Sequence, residues 1–247
     1  MSRWKAAFIR LLISILIVGC VAAYMITFWY PPALIEMAKA DRLLMLIAGI
    51  DLITGPLLTL IIFKANKPKL KFDMFVLGVI QVICLGYGLS VAWNSRPVFI
   101  VAAKDRFELV FANEITSARL SAAKEERFRH FSFARPVLVG TIMPVSMKEQ
   151  EAILMSALSQ QGDIQTMPRY FVDYSKVSKA LLDYSKPIVG NEELSAGDIK
   201  LLNEAAISSG RSIDSLRYLG LSSSRGFAVM LVDGKTGKPV GPVNIDP

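Results

Sequence analysis

The sequence predicts a membrane protein, with three transmembrane α-helices followed by a small α+β extracytoplasmic domain carrying antiparallel hairpins. Three observations point there. Apolar residues make up 53% of the chain, above the roughly 45–50% of an ordinary soluble domain, and the excess lies before Trp93. The formal charge of +7 is also local: from Arg96 onward nineteen Lys/Arg face seventeen Asp/Glu, and the surplus sits at Arg3, Lys5 and Arg10 and at Lys64, Lys67, Lys69 and Lys71. After Trp93 the pattern changes to short apolar runs separated by turn and cap signals. Basic residues gathered at span ends are a topology signal, so the positive charge implies no nucleic-acid partner. Residues 1–93 form the membrane region and 94–247 a domain of roughly 150 residues, long enough to bury its own core.

The apolar runs give spans of about 6–30, 43–63 and 72–93. Each has the roughly 20 residues that cross about 30 Å of hydrocarbon. Trp29 and Tyr30 close the first and Trp93 closes the third, as interfacial aromatics do. In loop 31–42, Glu36, Lys39, Asp41 and Arg42 cancel, whereas loop 64–71 is purely basic. The positive-inside rule then puts the N-terminus and loop 64–71 in the cytoplasm and residues 94–247 outside it, in the periplasm of a Gram-negative cell. Arg10 lies about one turn into its span and can snorkel to the headgroups. Ile17-Val18-Gly19-Cys20 resembles a lipoprotein cleavage box, but the chain stays apolar for another ten residues, where a mature lipoprotein turns polar. Cys20 and Cys84 are the only cysteines and both fall in apolar runs, so the following domain has no disulfide and no thiolate metal site.

The second span is not a plain anchor. Asp51 sits near its middle, where an acid costs about 2.5–3.5 kcal/mol on insertion scales. Ala48, Asp51, Gly55 and Thr59 fall at offsets of 3, 7 and 11 on one small, polar helix face. Pro56 beside it breaks the backbone ladder and kinks the helix. By depth, Asp51 lies within about a turn of Gln81, Tyr87 and Tyr24. Three roles remain open: glue within the bundle, a seat for another protein's helix, or a proton or ion site.

In the domain, Pro97 onward and Arg106 onward read as a hairpin around Lys104-Asp105. Asn113 can cap a helix over 114–126. Pro136 to Met143 reads as a buried strand. Ser146-x-x-Glu149 opens a helix over 147–160 with Gly162 as its stop. Ser195-x-x-Asp198 opens another, closed by Gly210, and Ser212 caps a short turn through Leu219. Gly226 onward and Pro239 onward form a second hairpin around Asp233-Gly234, and the two hairpins share one sheet.

No catalytic chemistry stands out, so the reading is of a binding protein and not an enzyme. His130 is the only histidine, set among basic and aromatic residues without a nucleophile elbow. There is no metal-ligand spacing and no phosphate loop, so no cofactor is implied. Glu125-Glu126 and Glu192-Glu193 read as solvated charges.

Several segments resemble the TfpX/TfpZ family of type IV pilin accessory proteins. They are Met1-Ser-Arg-Trp-Lys-Ala-Ala7, the run Asp51-Leu-Ile-Thr-Gly-Pro-Leu-Leu-Thr-Leu-Ile-Ile-Phe63, Leu70-Lys-Phe-Asp73, Arg96-Pro-Val-Phe99, Asp105-Arg-Phe-Glu108 and Gly162-Asp-Ile-Gln-Thr-Met-Pro-Arg-Tyr-Phe-Val172. The resemblance implies a non-enzymatic bacterial inner-membrane protein that supports assembly of a type IV major pilin and influences pilus extension and retraction. On that basis the face Ala48/Asp51/Gly55/Pro56/Thr59 is expected to hold the pilin's apolar helix in the bilayer. The domain is expected to touch the pilin head, with Pro168, Arg169 and Tyr170 as a contact, or as ordinary strand entry. Two alternatives are a structural subunit contacting the pilus assembly platform and a sensor with a periplasmic ligand.

Overall fold

The computed structural model describes residues 3–63 and 69–245. Three of its helices are long and apolar enough to cross a membrane: Arg3–Trp29, Ala40–Ile62 and Leu70–Asn94. Their ends agree with the apolar runs to within about a turn. Lys64 and Lys67 of the basic loop lie outside the described residues. Large apolar side chains such as Leu16, Met45, Ile61, Phe75 and Val82 point outward, which suits hydrocarbon and not water. Cys20 and Cys84 also lie on outward faces. The second span is not uniform. A π-helical turn, Ile50–Thr54, precedes Gly55–Ile62, with Pro56 in the first turn of the latter. Proline has no N–H and its ring crowds the preceding turn, so the ladder widens there.

The rest of the chain builds one mixed sheet from β1 (Pro97–Ala103), β2 (Arg106–Phe111), β3 (Val137–Thr141), β4 (Phe171–Asp173), β5 (Lys186–Pro187), β6 (Leu216–Ser222), β7 (Phe227–Asp233) and β8 (Pro239–Val243). The order is β4-β3-β1-β2-β6-β7-β8, with β5 on β6. The pairs β1–β2, β3–β4, β5–β6, β6–β7 and β7–β8 are antiparallel. The pairs β1–β3 and β2–β6 are parallel. Strand β6 therefore joins the two halves of the domain. Leu219 belongs to it, not to a turn from Ser212. Its Leu216, Tyr218, Leu219 and Leu221 are all buried, as a strand paired on both sides requires.

Helices Met147–Leu158 and Ala196–Ser208 flank the sheet. Ser195 and Asp198 close a reciprocal capping box. Ser146 makes no side-chain cap, and Glu149 instead accepts from Arg169. The helix expected over 114–126 is absent. A 3₁₀ turn, Ala112–Glu114, is followed by a short helix, Ser117–Ser121. Thr116 caps that helix, and Asn113 Oδ1 accepts from Arg225.

The main core continues across residue 94. Met25, Trp29, Tyr30, Leu34, Met37 and Ala38 are buried together with Phe107, Leu109, Phe111, Leu219, Leu221 and Met230 of the sheet. Trp29 and Tyr30, expected at the lipid interface, thus lie inside the protein. The Tyr30 hydroxyl donates to Ala92 O at 3.1 Å. Two arginines seal the junction. Arg96, 2% exposed, donates to Trp93 O at 2.6 Å and Ser132 O at 3.4 Å, with its guanidinium 3.3 Å from the Trp93 ring centroid. Arg225 donates to Ala38 O at 3.3 Å and Ser95 O at 3.0 Å, and lies over Phe111.

Arg225→Met keeps the apolar stem but removes both donors. It should cost about 2 kcal/mol and lower the thermal unfolding midpoint of the detergent-solubilised chain. A second prediction concerns acid. Hydrogen bonds from the Thr236 hydroxyl and amide hold the Asp233 carboxyl at about 2, below the roughly 3.9 of an unfolded aspartate. Its stabilisation is therefore present above about pH 4 and is lost as pH falls toward 2. Asp233→Asn should flatten the acid limb of the stability–pH curve.

Candidate functional site

The first span turns Ala6, Ala7, Ser14 and Val18 inward, a row of mostly small side chains that lets the second span approach closely. Beyond Ala40 at its start, the buried residues of the second span are Ile47, Asp51, Gly55 and Thr59. Steps of four drift by about 40° each in a straight α-helix. The wider π turn around Asp51 brings them back into register. Ile47 therefore takes the place expected for Ala48, which is half-buried on the flank, as is Pro56.

Gly55 and Thr59 serve the chain's own packing. A Cβ on Gly55 would fall 2.1 Å from Gln81 Nε2 and 3.4 Å from Ser14 Oγ, so only glycine fits between the first and third spans as they stand. The Thr59 hydroxyl donates to Gly55 O at 2.9 Å. Asp51 differs. It is 7% exposed, yet among the described residues no hydrogen bond or ion pair reaches its carboxylate. It lies in the wall of a cavity of about 450 Å³ between the first and third spans, with Arg10, Ser14 and Gln81 among apolar neighbours including Ile13 and Val82. A second cavity, about 270 Å³ and lined by Leu43, Ile47, Tyr87 and Gly88, meets Asp51 from the other side of the third span. A carboxylate in such a place is costly unless something donates to it.

Gln81 and Tyr87 thus share cavities with Asp51, as depth suggested. Tyr24 does not, and it stacks on Phe28 and Trp29 instead. Arg10 and Ser14 were not expected at this site. Their spacing of four on one helix face was the available signal.

In the sheet domain, Pro168–Tyr170 forms a 3₁₀ turn entering β4. Pro168 is buried, Arg169 is held by Glu149, and Tyr170 is half-buried. Arg169 and Tyr170 line a cleft of about 340 Å³ with Ile142, Met143 and Val145. It lies beside the edge strand β4, whose outer backbone groups are open to pairing. His130 is exposed. Among the described residues no group of His, Cys, Asp and Glu could hold a metal ion.

Two proteins of Dichelobacter nodosus, the fimbrial assembly proteins of serogroup I and of serogroup E1, are each 26% identical to this chain over 246 residues, covering 98% of it and 95% of their own length. The fimbrial assembly protein of serogroups C1 and C2 is 30% identical over 122 residues, 48% of this chain and 92% of that protein. No family model matches the chain, and no solved structure does.

The packing at Gly55 predicts a graded response. Gly55→Ala should be tolerated, because the end of the Gln81 side chain can rotate into the cavity. Gly55→Leu should force the spans apart and lower both the membrane level of the protein and its thermal midpoint, read by fluorescence size-exclusion after heating.

Proposed function

The chain belongs to the family of fimbrial assembly proteins, and from that premise we propose that it is a membrane accessory protein of type IV pilus biogenesis that binds the major pilin. The observation that carries this reading is Asp51, buried and, among the described residues, without a hydrogen bond or ion pair, on the wall of a cavity that opens sideways between two spans. A bundle that needed Asp51 only as internal glue would close its own hydrogen bonds on it. An opening between helices with an unused acceptor suits a visiting helix that brings a donor.

In this reading the protein lies in the inner membrane with its N-terminus in the cytoplasm and its sheet domain in the periplasm. The apolar helix of the pilin rests in the Asp51 groove, and the pilin head meets the sheet domain, with the Arg169–Tyr170 cleft as a contact. The protein acts by binding, as a chaperone of pilin in the bilayer, and so influences the balance of extension and retraction. The resemblance noted in the sequence and the names of the relatives support this reading, and the unpartnered carboxylate gives it a site.

A photo-crosslinker at Val82, 71% exposed on the groove wall, should form an adduct with pilin in living cells. Adducts confined to the chain's own first and second spans, or formed with an assembly-platform protein, would overturn the pilin assignment. Asp51→Asn should leave the protein level near normal while surface piliation falls several-fold. Normal piliation with that variant would remove Asp51 from the site.

A further inference from the structure

We propose that the segment Arg129–Arg135 is a lipid-contact element, resting on the membrane surface beside the third span and taking anionic phospholipid headgroups. The inference depends on the three helices spanning the bilayer. It goes beyond pilin binding, because it gives the sheet domain its own hold on the membrane.

The height of the segment is the first reason. The third span, Leu70–Asn94, has 25 residues, or about 37 Å at 1.5 Å each. Hydrocarbon takes up about 30 Å of that, so Trp93 at its end falls in the headgroup layer, where tryptophan is enriched. The Phe133 ring lies 5.6 Å from the Trp93 ring, at the same level, yet Phe133 is 78% exposed. A phenylalanine stacked on an interfacial tryptophan with its outer face bare is placed to enter the upper acyl region.

The segment is also tied down. Buried Arg96 donates to Trp93 O on the span and to Ser132 O in the segment. One guanidinium thus fixes the distance between Phe133 and the helix end.

Charge is the third reason. The sequence from Arg129 to Arg135 contains no acidic residue. Arg129, His130 and Arg135 are exposed. The Arg129 Nε donates to Ala123 O at 3.0 Å, which steadies it, while among the described residues Arg135 has no ion pair. The neighbouring Arg127 is different, because Glu125 and Asp173 already hold it. Two exposed guanidinium groups in the same short segment as Phe133 match phosphate in geometry and sign. Continuity with the lipid-facing surface of the third span favours a phospholipid as the occupant over a soluble acidic protein.

The test uses the full chain, with Cys20→Ser and Cys84→Ser, in nanodiscs of phosphatidylcholine with phosphatidylglycerol. Phe133→Cys carries an environment-sensitive fluorophore, and nitroxide lipids quench it. Strong quenching by a headgroup-level nitroxide is expected. No quenching is expected for a label at Val145, which follows β3 at the end of the β1/β3 pair away from Trp93. A third label, at Val82, reports on the spans. If Val82 escapes a mid-chain nitroxide, the spanning reading itself fails. If Val82 is quenched and position 133 is not, the lipid-contact proposal alone is overturned. The headgroup preference is read separately by native mass spectrometry. The double variant Arg129→Gln/Arg135→Gln should retain several-fold less phosphatidylglycerol than the wild type, with phosphatidylcholine unchanged. Equal retention would rule out the headgroup role.

Discussion

Arg225 sits where three parts of the chain converge: the connection after the first span, the start of β1 and the turn between β6 and β7. Its guanidinium serves Ala38 O and Ser95 O together and covers the Phe111 ring. Each buried carbonyl without a donor would cost about 1–3 kcal/mol. Arg96 closes the end of the third span in the same way. Desolvation lowers the pKa of both groups, but a guanidinium starts high enough to stay charged, and its planar fork reaches two acceptors at once. A lysine would satisfy neither requirement. The position of the sheet relative to the spans follows from these two contacts and from the apolar layer they enclose.

Within the spans, packing is uneven for a reason visible in the side chains. Small residues on the first helix and Gly55 on the second let those two meet closely. The third span buries only Leu77 and Ala92 and touches the pair through the longer Gln81. Cavities remain on either side of it, and Asp51 faces both. The polar character of the site therefore comes from Asp51 with Arg10, Ser14 and Gln81, and its accessibility from the loose fit of one helix.

The spans were legible because hydropathy over about 20 residues has few alternative explanations. The strands β1, β2, β3, β7 and β8 were legible because each lies next to a turn or cap signal. Strand β6 was not, since Leu-Arg-Tyr-Leu-Gly-Leu-Ser lacks clean alternation and its partners are distant in sequence. The 114–126 helix failed because Asn113 and Glu114 make tertiary bonds, to Arg225 and Ser224, that local propensity does not register. At the candidate site, the inward position of Asp51 and Gly55 was legible in the sequence. The offsets from Ala48 follow α-helical periodicity, whereas the π turn Ile50–Thr54 buries Ile47 and leaves Ala48 half-buried. Arg10 reads from sequence as a snorkelling residue with no special role, whereas the structure lines the Asp51 cavity with it. The connection 31–42 reads from sequence only as a loop whose charges cancel, whereas its apolar residues form the floor of the sheet.

That floor bears on how the protein is made. Leu34, Met37 and Ala38 leave the ribosome long before Leu219, Leu221 and Met230, yet all six end in one core. The inner face of the sheet is complete only with the connection between the first two long helices in place. A translation product cut at residue 94 would keep every strand and lose the surface they close on. The sheet domain therefore depends for its core on chain that precedes its first strand.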